Sequence, residues 1–347
     1  MAAAGYFRFH ADCFIRYPAW MRRRNILNPR GGKPMPSRRS QGMLKLIRTH
    51  KKFASRIGND LLLRIEPPVQ AVAHLHMEGT SAKLISGLPF PALMVCPGKA
   101  AADDAVILHM HGGAYVSGGL LQCRALIAPI CSSSGLRAFT FSYHLAPEYT
   151  YPAQLEDAWT AYQFLKEQGY SAKKIALVGE SAGGNLALAL ALRIREMGEE
   201  MPGAIALLSP WVDLKQTGDS YKSLKDVDAT LDAEELMKNA VAFAGADYML
   251  DDARISPVYA DFSGFPPVQI HCGTHEILLS DAELLEHQML RCGVKVQLFR
   301  WAGMCHVFQA FGFEESKASN QQIGLFLKSR LLGEGEKRCS RKYLAER

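Results

Sequence analysis

The sequence predicts an α/β protein with a mostly parallel central sheet flanked by helices. Three observations carry this. Short, continuous apolar runs such as Ala105–Met110, Lys174–Val178 and Ala204–Leu208 read as strands buried on both faces. Helical stretches separate them, so strand and helix alternate with crossovers long enough for parallel pairing. Finally, Gly179-Glu180-Ser181-Ala182-Gly183-Gly184 falls between one of these strands and an apolar helix beginning at Asn185. A serine at a strand-to-helix turn, with a glycine two residues away on either side, has its hydroxyl held clear of the sheet at a helix N-terminus.

The 347 residues are enough for one large α/β domain and a smaller appendage. The net charge of +6 is misleading, because residues 1–42 carry nine basic residues and one acidic residue, which leaves the remainder at −2. The body is therefore near neutral and has no nucleic-acid footprint. Cys13, Cys96, Cys123, Cys131, Cys272, Cys292, Cys305 and Cys339 are scattered without a C-x-x-C pair. That argues against a disulfide framework or a zinc site and for a reducing compartment, the cytoplasm. No apolar run is long enough to span a membrane.

Residues 1–42, rich in Arg, Pro, Gly and Ser, are expected to be a disordered extension. Met43–Ile57 has helical apolar spacing, which predicts an amphipathic helix outside the sheet and over the site, in an N-terminal cap region of residues 43–64. Ala71–Met77 alternates as a strand with His74 and His76 on one face, which are expected to be solvent-facing rather than metal ligands. Ala92–Cys96 and Ala105–Met110 are strands, and the second runs into His111-Gly112-Gly113-Ala114-Tyr115. Glycines directly after a buried strand let backbone N–H groups approach a ligand. Arg124–Ser133 reads as a helix, Arg137–Tyr143 as a strand and Ala153–Gln168 as a helix.

After the serine turn and the strand Ala204–Leu208 comes Ser209-Pro210-Trp211, and the alternation stops. Residues 215–252 form a polar, helix-prone insert that includes Leu231–Phe243. Strand order resumes with Val268–Cys272. A serine in this kind of turn needs an acid after that strand and a histidine after the last one. Ser280 and Glu283 have capping-box spacing, so a helix is expected to start at Asp281, whose charge the helix dipole then explains. Glu276, in the turn before it, is therefore the preferred acid over Asp281. Val294–Arg300 is the last strand, and its Val294–Phe299 stretch is a candidate dimer edge. Of eleven histidines, only His306 lies in a loop after it. Glu314–Leu332 is a closing helix, and residues 334–347 form a basic tail.

His111-Gly112-Gly113, Ser142–Glu148 with Tyr151-Pro152-Ala153 and Glu156-Asp157, Gly179–Gly184, and Ser209–Leu214 occur in the order and spacing of one known group. Across roughly residues 65–333 the chain resembles the hormone-sensitive-lipase-like (family IV) carboxylesterases of the α/β-hydrolase superfamily. The resemblance implies an α/β-hydrolase core of residues 65–214 and 253–333, with a small helical cap built from the 215–252 insert and the N-terminal helix. It implies an esterase with Ser181 as nucleophile, His306 as base and Glu276 as orienting acid. Gly112, Gly113, Ala114 and Ala182 form the pool of oxyanion-hole N–H donors, and Tyr115 and Trp211 are candidate pocket residues. The substrate is a small-molecule ester, and neither metal nor organic cofactor is required. Two departures from the family stand out: Ala114 replaces a usual third glycine, and His144 replaces a frequent Arg. Two alternatives stay open. One is a lactone hydrolase or aryl-amide deacetylase using the same triad, and the other is a non-catalytic receptor on the same scaffold.

Overall fold

The computed structural model describes residues 36–37, 40–45, 77, 79–99 and 103–333. Its strands are Thr80–Ile85 (β1), Ala92–Pro97 (β2), Val106–Met110 (β3), Arg137–Phe141 (β4), Ile175–Glu180 (β5), Ala204–Leu208 (β6), Val268–Gly273 (β7) and Val296–Trp301 (β8). They form one sheet in the order β1-β2-β4-β3-β5-β6-β7-β8. β1 and β4 both pair antiparallel with β2, and every pair from β4 to β8 is parallel. The long helices are Leu120–Ser134 (α1), Ala153–Glu167 (α2), Ala182–Glu196 (α3), Ala233–Ala244 (α4), Leu279–Arg291 (α5) and Glu314–Leu332 (α6).

Alternate residues of the central strands feed two cores, as the two-residue period of a strand requires. Leu108, Leu177, Leu207 and Ile270 join the side chains of α2, α3 and α5 on one face. Ile107, Val178 and Ala206 join Leu126 and Ile127 of α1 and Ile323 and Leu327 of α6 on the other. With both faces covered, these strands read as unbroken apolar runs, which is why periodicity found them. No helix among the described residues is long and apolar enough to cross a membrane.

β1 was not expected: it is an edge strand paired only with β2, and its residues are half-buried or exposed, so no strong apolar signal marks it. The strand expected at 71–77 lies outside the described residues except for Met77, and so do His74 and His76. Residues 40–45 are helical, and the rest of the expected 43–57 helix is also outside the described residues. The described residues also include some before Met43. Ser37 donates from its N–H to Glu315 Oε1 at 2.6 Å, Ser40 is fully buried, and Pro36 packs on Gly303. Leu44 enters a cluster with Trp301, Met304, Cys305, Phe308 and Phe313. Composition hid this docking because the anchors are two serines and a proline, residue types that rarely carry a core.

That cluster borders a fully buried histidine on β7. His271 Nε2–H donates to Gln269 Oε1 at 3.0 Å, while its Nδ1 accepts from Trp301 Nε1 (3.1 Å) and Ser319 Oγ (2.9 Å). It therefore ties β7 to β8 and α6 as a neutral ring, and burial pushes its pKa down to about 3. An unfolded histidine titrates near 6.5. Between the two values the unfolded chain binds one more proton than the native state. This group therefore removes stability as pH falls through that window, by about 1.4 kcal/mol per pH unit. Urea unfolding between about pH 6 and about pH 4 should show a shallower decline for His271→Gln than for the parent, by about one proton. Parallel declines would mean that the acid sensitivity arises elsewhere.

Candidate active site

The site is built where the C-terminal ends of β3, β5, β6, β7 and β8 meet. Ser181 follows β5 with φ 54° and ψ −122°, a conformation that side chains other than glycine rarely adopt. Two hydrogen bonds, one to the end of β6 and one to the segment after it, hold it there. Ser181 N–H donates to Leu208 O at 2.9 Å, and Trp211 N–H donates to Ser181 O at 3.0 Å. The flanking glycines are steric necessities. A Cβ on Gly183 would lie 2.0 Å from Met110 O, and one on Gly179 would lie 2.1 Å from Gly183 O. The turn thus seats α3 directly on the end of β3.

The loop after β3 also approaches Ser181: a Cβ on Gly112 would lie 3.1 Å from Ser181 Cβ. Gly113, Ala114 and Tyr115 then take positive φ values of 109°, 53° and 66°. The loop is pinned behind, where Val116 and Ser117 N–H both donate to Gly113 O at 3.0 Å. Gly112, in the donor pool that the sequence suggested, has its N–H engaged elsewhere. Its N–H already donates to Glu180 Oε1 at 2.8 Å. The N–H groups of Gly113, Ala114 and Ala182 have no such partner among the described residues.

His306, in the loop after β8, places Nδ1 2.8 Å from Glu276 Oε2. Glu276 is fully buried, and its other oxygen accepts from Gly273 N–H (2.5 Å), Ser209 Oγ (2.9 Å) and the Cys272 thiol (3.1 Å). Ser181 and His306 are 5% and 9% exposed, and no hydrogen bond joins the Ser181 hydroxyl to the imidazole. Catalytic contacts often tighten only on substrate binding.

Asp281, the competing carboxylate, is turned elsewhere. Its Oδ2 accepts from Val212 and Asp213 N–H at 3.0 and 2.9 Å, so it braces the segment after β6. Burial, then the nearby Asp213 charge, push its pKa well up. The expected capping box does not form. α5 begins at Leu279, Ser280 Oγ accepts from Ser220 N–H at 2.9 Å, and Glu283 pairs with Arg300 at 2.9 Å. Long-range partners took both residues, which local spacing cannot foresee.

Tyr115 and Trp211, the candidate pocket residues, are both fully buried. Tyr115 stacks on Phe243 of α4 with ring centroids 3.7 Å apart, and its hydroxyl donates to Asn185 Oδ1 at 3.0 Å. Asn185 Nδ2 in turn donates to Trp211 O (3.1 Å) and Ile255 O (2.8 Å). His144, at the position of the family's usual Arg, pairs through Nδ1 with Asp157 Oδ2 at 2.7 Å. Sequence reasoning gave no role to Ser209, Asn185, Glu180 or His109. The available signal was a polar residue inside an otherwise apolar strand end or helix.

A family model described as alpha/beta hydrolase fold matches residues 107–310. The chain is 36% identical over 231 residues to an esterase from Acinetobacter venetianus, covering 66% of this chain and 76% of the relative. It is 34% identical to an acetyl-hydrolase from Streptomyces hygroscopicus, covering 68% and 79% of the two chains. A crystal structure of an esterase from the bacterial hormone-sensitive lipase family superposes with a TM-score of 0.79 at 31% identity, covering 86% of this chain and all of the other. Fold, motif order and these likenesses agree, and the chain belongs to the hormone-sensitive-lipase-like esterase family of α/β-hydrolases.

Proposed function

We propose that the protein is a serine carboxylesterase that hydrolyses short- to medium-chain esters through an acyl-enzyme on Ser181. The observation that carries this is the Glu276–His306 hydrogen bond of 2.8 Å at the same sheet end as the strained Ser181 turn. In this reading His306 Nε2 takes the Ser181 proton as Oγ attacks the ester carbonyl carbon. Glu276 holds the Nδ1–H tautomer and stabilises the imidazolium. The carbonyl oxygen, now an oxyanion, is received by N–H groups drawn from Gly113, Ala114 and Ala182. Such donors are typically worth ~3–4 kcal/mol each in the transition state. The imidazolium then protonates the departing alcohol. Water, deprotonated by His306, attacks the acyl-enzyme, releasing the acid and restoring Ser181.

The 215–252 insert acts as the cap in this reading, and its α4 ring Phe243 rests on Tyr115, next to the donor loop. Tyr115 and Trp211 support the pocket wall from behind. The scatter of cysteines supports a cytoplasmic setting. The relative named acetyl-hydrolase supports a small acyl group.

Ser181→Ala should abolish turnover of p-nitrophenyl acetate and butyrate while the thermal transition persists, and retained turnover would remove Ser181 from the mechanism. A panel of esters, lactones and aryl amides on the parent enzyme then fixes the bond class. Glu276→Gln should lower kcat by about 10³-fold or more, because the imidazole loses its orienting charge, whereas Asp281→Asn should spare kcat. The reverse ranking would transfer the acid role to Asp281. Ser209→Ala removes one of the donors on Glu276 Oε1 and also an acceptor for Val307 N–H, 3.1 Å away. It should cost roughly tenfold in kcat with KM little changed. A pure KM effect would place Ser209 in substrate binding.

A further inference from the structure

A buried chain of polar side chains runs beneath the nucleophile across three adjacent strands. Thr140 on β4 places Oγ1 2.9 Å from His109 Nδ1 on β3, and His109 Nε2 lies 2.8 Å from Glu180 Oε2 at the end of β5. The other Glu180 oxygen accepts from Gly112 N–H at 2.8 Å. Thr140 and His109 are fully buried and Glu180 is 2% exposed. None of the three touches Ser181 Oγ, His306 or Glu276 through a hydrogen bond.

Stability alone does not call for this arrangement. In the middle of a covered sheet, well-packed apolar residues generally do as well as a buried ionisable pair. What the chain delivers is a fixed oxygen at one backbone atom, Gly112 N–H. That atom opens the run of positive φ at Gly113, Ala114 and Tyr115. Such a run persists only where its surroundings hold it. Behind, it is held by the bonds to Gly113 O and by Ala146 N–H donating to Tyr115 O at 2.8 Å. In front, it is held by Glu180.

We propose that Glu180 and His109 are positioning residues of the oxyanion hole. The Glu180 carboxylate, oriented by His109, anchors Gly112 and so aims the N–H groups of Gly113 and Ala114 at the forming oxyanion. Glu180 serves both halves of the hole, because its own peptide leads into Ser181 and the Ala182 N–H. With Glu180 as a carboxylate, His109 Nε2–H is the donor to it and Nδ1 accepts from the Thr140 hydroxyl. The proposal rests on the serine-esterase reading, and its test separates the two.

The experiment uses the full chain, p-nitrophenyl butyrate kinetics and hydrogen exchange at the amides of residues 112–116. Glu180→Met leaves Gly112 N–H without its acceptor. It should lower kcat by about 100-fold with KM within about twofold, since misplaced donors weaken the transition state and not substrate binding. It should also speed loop exchange by about tenfold while exchange in α3 is unchanged. Glu180→Gln still offers an oxygen to Gly112, and its amide donates to His109 in the other tautomer, so it should stay within about threefold of the parent. His109→Phe should lose about tenfold in kcat, and His109→Gln, which keeps a donor near the Nε2 position, should recover it. Parental kcat in both Glu180→Met and His109→Phe overturns the proposal, as does Glu180→Gln falling as far as Glu180→Met. If the parent shows no hydrolysis, the esterase reading fails, and the exchange data decide the anchor: unchanged loop exchange in Glu180→Met overturns it. Should Glu180→Met not fold, the His109→Phe and His109→Gln pair carries the same comparison in both measurements.

Discussion

Everything at the site depends on how tightly the turn at Ser181 is wedged between its neighbours. Held at φ 54°, Ser181 sits in a conformation that costs about 1–3 kcal/mol on its own. It is kept there because α3 lies so close to the end of β3 that a methyl on Gly183 would be 2.0 Å from Met110 O. β6 and the segment that follows it hold the same residue from the other side, Leu208 through its N–H and Trp211 through its carbonyl. The strain is local, and the restraint comes from two strands distant in sequence. The hydroxyl direction is therefore a property of the whole sheet end.

The polar residues around this wedge follow one rule: a buried polar group is kept where it fixes the position of something else. Ser209 shows this most clearly. It follows β6 at φ 47° and donates its N–H to His271 O at 2.7 Å. Its hydroxyl bridges Glu276 on one side and Val307 N–H, beside His306, on the other. A single side chain thus spaces the loop after β7 from the loop after β8. Asn185 does the same between α3, Tyr115 and the segment after β6. Asp281 braces that segment from the far side.

What could be read from the sequence divides along physical lines. The central strands and α3 were legible because burial on both faces forces apolar runs. The serine turn was legible because its glycines are sterically required. Glu314–Leu332 was recovered to the residue as α6. Reading failed where the deciding contact joins residues far apart in the chain. Gly112 looked like a donor for a ligand, but its N–H is taken by Glu180, 68 positions on. Ser280 and Glu283 looked like a local cap, but partners at Ser220 and Arg300 claim them. Pro36, Ser37 and Ser40 fall in a stretch whose composition looked unable to pack, yet Gly303 and Glu315 receive them. Spacing reveals local hydrogen bonds, and only the tertiary structure reveals which alternatives outcompete them.

Glu276 illustrates how position can override residue type. A glutamate is one methylene longer than an aspartate, a length that on its own would loosen its hold on the histidine. Here the added length is absorbed by anchoring one oxygen completely. Oε1 takes a backbone N–H, a hydroxyl and a thiol, so the carboxylate has no freedom left except the direction in which Oε2 already faces His306. With an aspartate, the same oxygen would have to sit about one methylene further back, out of reach of Ser209 unless the turn moved. The glutamate, Ser209 and Cys272 therefore form one unit, and the chemistry of the imidazole is set by that unit and not by the carboxylate alone.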